Sequence, residues 1–179
     1  MHSSLRVFFG FALSERDRAI VERTQRTLRD RLVSAGGQSR VRWVTPGDFH
    51  LTLRFIGVVP SSTLPAHERA LARSLSGAAP VSARVERVLG FPSMERARTL
   101  VLGLNDPGQQ LAAMLRRLEH ELALLGIAAE PRPLVPHVTL ARVSPALDIA
   151  PLANPSGYHD SEIMLSRLCL FESRGGRAE

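Results

Sequence analysis

Two hydrophobic periods take turns along this chain. The first apolar run, Leu5 to Ala12, is rich in aromatic and branched residues and predicts an interior strand. Ser14 follows as an N-cap with Asp17 three places on, a short form of the capping box. Ile20, Leu28, Leu32 and Val33 then recur at helical spacing to about Ala35, where Gly36-Gly37 ends the helix. Val41 to Val44 reads as a short extended stretch, Pro46-Gly47-Asp48 as a turn, and Phe49 to Val58 as a second strong strand. Pro60 and Ser61-Ser62 open a helix over Leu64 to Leu75 that Gly77 stops. Val81 to Leu89 alternates as a strand up to a break at Gly90-Phe91-Pro92, and Arg98 to Leu104 is another. Asn105-Asp106-Pro107-Gly108 caps a third helix with Leu111, Leu115, Leu118, Leu122 and Leu125 on one face, closed by Gly126. After an extended proline-marked linker come a strand over His137 to Val143, a loop over Ser144 to Pro155 and a last strand over Glu162 to Phe171. Arg174 to Glu179 reads as a frayed tail.

This order contains a coarse repeat. Strand, long helix, linker and a strand beginning His-x-Thr-Leu occur twice, ending at His50-Leu51-Thr52-Leu53 and at His137-Val138-Thr139-Leu140. The repeat predicts two related lobes. Side chains alternate along a strand, so His50 and Thr52 share one face while Leu51 and Leu53 point to the core. His137 and Thr139 repeat that arrangement in front of Val138 and Leu140. If the lobes pack face to face, four polar side chains line one cleft.

Such a cleft suits a particular chemistry. Imidazole titrates near neutral pH, so one histidine can accept a proton while the other donates one. Two hydroxyls can donate hydrogen bonds to anionic oxygens. Together they fit in-line attack on a phosphodiester, with no metal or cofactor called for. One His-x-Thr on a strand is commonplace; the signal is the pair. Arg54, four places after His50, falls on the cleft face by strict alternation and is a candidate phosphate or RNA-backbone contact. Arg142, five places after His137, falls on the opposite face unless a bulge redirects it. His67 and His120 read as solvated helix positions, His2 is terminal, and His159 lies in a loop.

Composition narrows the chemistry. The chain has 179 residues, the length of one domain, with 44% hydrophobic and 22% charged residues. Its formal net charge is +6, and every one of its 23 basic residues is Arg. Without Lys, neither a Schiff base nor a phosphate-loop lysine is available. The single cysteine, Cys169, excludes an internal disulfide and a zinc site built on cysteine pairs, and it points to a reducing compartment, the cytoplasm. The apolar run after Arg6 is followed by charged Glu15 to Arg18 where a signal peptide would carry small residues. No apolar stretch is long enough to span a bilayer.

The blocks around these motifs resemble the 2H phosphoesterase superfamily, in particular its bacterial and archaeal RNA 2′,3′-cyclic phosphodiesterases, once called 2′-5′ RNA ligases. The resemblance runs through Leu5 to Leu13, Val41 to Val44, His50 to Gly57, Gly90 to Pro92, Arg98 to Leu104, Pro136 to Arg142 and Ile163 to Leu168. It implies an α+β fold in one domain over 1–179. Two pseudo-symmetric lobes of antiparallel sheet would form a V-shaped cleft with helices outside. It implies opening of a terminal RNA 2′,3′-cyclic phosphate to a 2′-phosphate, or joining and cleavage of tRNA halves through a 2′-5′ bond; the chain itself is expected to act as a monomer. On the family's pattern His50 is the proton donor to the departing 3′ oxygen and His137 the acceptor that activates water. Thr52 and Thr139 hold the phosphate, and Arg142 matches an arginine that members carry after the second motif. A reading of another class, an RNA-binding module that keeps the cleft without turnover, would bind oligonucleotides with strong salt dependence and hydrolyse nothing.

Overall fold

The computed structural model describes residues 3–34, 40–152, 161–174 and 177–178. The glycine pairs at 36–37 and 175–176, His2 and His159 lie outside them. Among the described residues, nine strands and three α-helices form an α+β fold: β1 (Ser4–Ala12), α1 (Glu15–Ser34), β2 (Arg40–Trp43), β3 (His50–Pro60), α2 (Leu64–Ser74), β4 (Val81–Phe91), β5 (Ala97–Asn105), α3 (Gln110–Ala123), β6 (His137–Leu147), β7 (Glu162–Leu165), β8 (Arg167–Arg174) and β9 (Arg177–Ala178). Every strand pairing among the described residues is antiparallel.

The sheet runs β7-β4-β5-β6-β3-β1-β8-β9, with β2 alongside β6. Its centre is the junction of β6 and β3, and the order outward is equivalent on both sides. β5 flanks β6 as β1 flanks β3, and β4 and β8 lie beyond them. The repeat is therefore a pseudo-twofold arrangement with the two His-x-Thr strands side by side at its axis. The helices cross over. α1 follows β1 yet packs on β6 and β7 of the other half, and α3 follows β5 yet packs on β3 and α2. Neither half closes its own core: Val21, Leu28 and Leu32 of α1 and Leu111, Leu118 and Leu122 of α3 are buried in one cluster with Phe9, Phe11, Leu51, Leu100, Leu102, Val138 and Leu140. Each of these large side chains contributes about 1.5–3 kcal/mol by leaving water.

Local signals set the ends of α1 and α3. Ser14 Oγ accepts the Asp17 backbone N–H at 3.2 Å and donates to Asp17 Oδ2 at 2.6 Å, which satisfies the first turn of α1. Asp106 Oδ2 accepts the Leu111 N–H at 2.6 Å at the start of α3. Gly126, at φ +76°, turns the chain out of α3. No helix among the described residues is long and apolar enough to cross a membrane.

Five expectations need correction. The strand expected over Glu162 to Phe171 is two strands at opposite ends of the sheet, because β7 pairs with β4 up to Leu165 and β8 pairs with β1 from Arg167. Only the pairing partners divide this extended run at Ser166. The loop expected from Ser144 is strand to Leu147, held by Arg40 opposite Ser144 and Ala97 opposite Leu147. Arg177 and Ala178 fold back on β8 rather than fray. Leu125 lies past the end of α3 and is partly exposed. His67 is 4% exposed rather than solvated, and its Nδ1 donates to the Thr63 carbonyl at 2.8 Å.

Candidate active site

The two lobes meet through one strand pair, Leu51 opposite Val138. Continued one place either way, this register sets His50 opposite Thr139 and Thr52 opposite His137. Facing residues of antiparallel strands hold their Cβ atoms about 5 Å apart. Leu51 and Val138 are fully buried behind the pair, while His50, Thr52, His137 and Thr139 are half-buried in front. One cleft thus receives a histidine and a threonine from each lobe.

A β-bulge follows each motif at the equivalent place. Thr52 pairs with Gly10 and Arg54 with Phe9, leaving Leu53 as an extra residue; Thr139 pairs with Val101 and Ala141 with Leu100, leaving Leu140 as one. A bulge flips the alternation beyond it. Arg54 and Ala141, facing the core residues Phe9 and Leu100, turn inward. Phe55 and Arg142 take the cleft face instead. The expected cleft position of Arg54 is thereby corrected. Arg54 is 7% exposed; its Nε donates to Glu119 Oε1 of α3 at 2.6 Å, and its two Nη groups donate to the carbonyls of Phe55 and Ala128. It ties β3 to the crossed-over helix. Arg142 moves the other way, out of the face that strict alternation assigned it, and its charge reaches His50.

Both imidazoles are anchored alike. His50 Nδ1 donates to the carbonyl of Asp48 and His137 Nδ1 to that of Val135, each two residues back and each at 2.7 Å. A carbonyl only accepts, so Nδ1 carries the hydrogen and Nε2 is the nitrogen left for chemistry. Neither Nε2, nor the hydroxyl of Thr52 or Thr139, makes a hydrogen bond within the described residues. Burial pushes both histidines below their ordinary value of 6.5, and their hydrogen bonds to the backbone carbonyls oppose that shift. At His50, the charges of His137 and Arg142 lower it further, while the Asp48 carboxylate raises it.

The two ends of the cleft differ. Beyond Thr52 and His137 lies a cavity of about 560 Å³, lined by Phe55, Phe91, Leu134 and Val135 among others. Phe55 is 49% exposed, with its ring 5.4 Å from that of Phe8, and Phe8 in turn lies 4.9 Å from the His50 ring. Phe91 meets His137 edge-on at 5.1 Å. At the rim, Arg132 holds Glu130 in a two-pronged pair that brings its pKa down to about 2, so this end carries no net charge. The other end, beyond His50 and Thr139, holds Arg142. Phe55 and Arg142 occupy the same place in the repeat, five residues after the motif histidine, and aligning the copies to that position would have exposed the contrast. Asp48 and Glu119 carried no local signal. His67 and His120 stand away from the cleft on α2 and α3. No group of three or more His, Cys, Asp or Glu among the described residues is placed to hold a metal ion.

Comparison with known proteins shows the family and the fold. Residues 19–177 match the family model described as the 2′-5′ RNA ligase superfamily. A protein of Methanothermobacter thermautotrophicus named RNA 2′,3′-cyclic phosphodiesterase is 30% identical over 139 residues, which is 78% of this chain and 71% of the relative. One of the same name from Bacillus subtilis is 30% identical over 132 residues, 73% and 71% of the two chains. The crystal structure of E. coli LigT in its apo form has the same fold, with a TM-score of 0.71 at 20% identity, covering 99% of this chain and 93% of that one.

Proposed function

Since the chain belongs to the 2′-5′ RNA ligase superfamily, we propose that it opens terminal 2′,3′-cyclic phosphates of RNA to 2′-phosphates, with His50 and His137 as an acid–base pair and no metal or cofactor. The observation that carries this reading is the matched pair of imidazoles, each locked through Nδ1 to a carbonyl and open at Nε2 across one strand pair. The cyclic phosphate sits between them. His137 Nε2 takes a proton from water as its oxygen bonds to phosphorus. The phosphorus–O3′ bond breaks, and His50 Nε2–H delivers its proton to O3′. Thr52 and Thr139 donate to the non-bridging oxygens, and Arg142 offsets the charge that builds on them. At His50 the Asp48 carboxylate favours the imidazolium while Arg142 and His137 oppose it, so the assignment of His50 as the acid rests on the family's pattern.

On this reading the two lobes act together as one domain. Each lobe lacks half of the site, and each is covered by a helix that the other contributes. The working form is a cytoplasmic monomer. The test is hydrolysis of a nucleoside 2′,3′-cyclic phosphate in EDTA by the intact protein and by His50→Ala and His137→Ala. Each variant is expected to lose about 10²–10⁴-fold, and the product is the 2′-phosphate. Full activity in either variant, dependence on added metal, or binding without turnover in the intact protein overturns the reading.

A second reading, 2′-5′ joining, is favoured by the apolar cavity at the His137 end. That is the end from which the attacking group enters, and an aromatic-lined cavity suits a nucleoside better than water. Here a 5′-hydroxyl replaces water, gives its proton to His137 and forms the 2′-5′ phosphodiester as O3′ leaves. Incubation of cyclic-phosphate and 5′-hydroxyl RNA ends, with the products resolved by length, distinguishes joining from hydrolysis.

A further inference from the structure

Beside the cleft, strand β2 sets two arginines of like charge against each other. Arg42 lies directly opposite Arg142, and Arg40 opposite Ser144. Facing residues of an antiparallel pair share a face, so Arg42 stands on the cleft face with Arg142. Arg40, two residues away along β2, shares that face. All three are exposed, and none forms an ion pair with a described residue. Like charges placed directly opposite are unfavourable, and no carboxylate among the described residues forms an ion pair with either.

The strand that carries them is held firmly from behind. Val41 and Trp43 pack against the core, and the Arg29 guanidinium lies 5.0 Å from the Trp43 ring centre. Gln25 of α1 donates to the carbonyls of Val44 at 2.8 Å and Leu140 at 2.9 Å, joining the end of β2 to the bulge that aims Arg142. The Val44 N–H also donates to Leu140 at 2.9 Å. Two uncompensated guanidinium groups on a rigid base make a site for an anion, and arginine binds phosphate oxygens through its planar fork.

We infer that Arg42, with Arg40 behind it, binds the phosphodiester next upstream of the cyclic end, so the site selects a polynucleotide over a mononucleotide. This rests on the proposed function for the placement of the cyclic phosphate. The stripe begins at the His50 end of the cleft, where O3′ departs and where the RNA chain attached to that ribose must leave the site. Arg142 serves the reacting phosphate, Arg42 the next one and Arg40 the chain beyond. At the opposite end the rim arginine, Arg132, is paired with Glu130, and the lining is largely apolar and aromatic.

The test compares a nucleoside 2′,3′-cyclic phosphate with a short oligoribonucleotide ending in the same cyclic nucleotide. The intact protein is expected to show a lower KM for the oligonucleotide. Arg42→Ala and Arg42→Gln should each remove about tenfold of that advantage, the scale of one charge-assisted contact, while kcat on the mononucleotide holds. Binding of the same oligonucleotide with a 2′-phosphate end, read by fluorescence anisotropy, needs no turnover. Its slope of log affinity against log salt should fall by about 0.7 in either variant, one phosphate's worth for a single strand. An unchanged KM ratio and salt slope overturn the inference, as does an equal loss on both substrates. If the intact protein hydrolyses nothing, the function fails; the anisotropy result still decides the role of Arg42.

Discussion

His50 and His137 are held by the same bond, Nδ1 to the carbonyl two residues before, at 2.7 Å in each case. Each ring is oriented by its own strand's approach rather than by a third catalytic side chain. On the proposed mechanism, acid and base are thus chemically alike until the surroundings separate them, and that bears on pH dependence. Productive enzyme needs one ring protonated and one neutral, and both rings lie below the ordinary value of 6.5. The value of kcat/KM should therefore follow a bell with its maximum on the acid side of 6.5. It falls as rising pH strips the acid and as falling pH protonates the base. Asp48→Asn removes the charge that raises His50 and should move the basic limb to lower pH. An optimum well above 7, or a basic limb unmoved in Asp48→Asn, contradicts this account.

The contact between Arg54 and Glu119 is structural. Glu119→Ala leaves the Arg54 guanidinium buried without its partner and should cost about 3–5 kcal/mol of stability, read from urea denaturation. Replacing both, as Arg54→Met with Glu119→Leu, should recover most of that loss, and the KM for a mononucleotide should stay near the parent value. A stable Arg54→Met variant that no longer binds substrate would return Arg54 to the phosphate site.

Gly10 sits opposite Thr52 on β1, and a Cβ there would stand 2.8 Å from the Leu51 carbonyl oxygen. Backbone rather than a flexible side chain blocks the space, so Gly10→Ala must push β3 away from β1. The expected result is a loss of about 1–3 kcal/mol, as for other overpacked sites. A fall in kcat should accompany it, because His50 and Thr52 move with Leu51. A variant with parent kcat shows that the strand absorbs the methyl without displacing the histidine.

If the cavity at the His137 end receives an attacking nucleoside, Phe55 should separate joining from hydrolysis. Phe55→Ala opens the cavity at the His137 end and removes an aromatic face worth about 1–3 kcal/mol to a stacked base. The yield of 2′-5′ product against hydrolysis product should drop about tenfold or more, with hydrolysis of a mononucleotide little changed. Equal losses in both assign Phe55 to the terminal nucleotide instead.

Much of this was legible in the chain itself. The alternation of His50, Leu51, Thr52 and Leu53, repeated from His137, fixes which side chains face the cleft over those four positions, because a strand's period of two is local geometry. Caps at Ser14 and Asp106 and the turn at Gly126 are local too, and the structure keeps them. The arginine-only cation set excludes lysine chemistry by composition alone.

What lay beyond the sequence was the pairing. Strict alternation carries Arg54 to the cleft and Arg142 away from it. The bulges at Leu53 and Leu140 reverse both, and a bulge is a property of two strands in register, not of either alone. The same holds for Ser166, where one extended run divides because its halves find partners at opposite ends of the sheet, and for Arg42, an ordinary exposed residue until β6 sets Arg142 across from it. Local residue patterns determined the elements and the motif. Long-range backbone hydrogen bonding decided which side chains beyond the motif reach the cleft, since a shift of one residue in register turns a side chain to the other face.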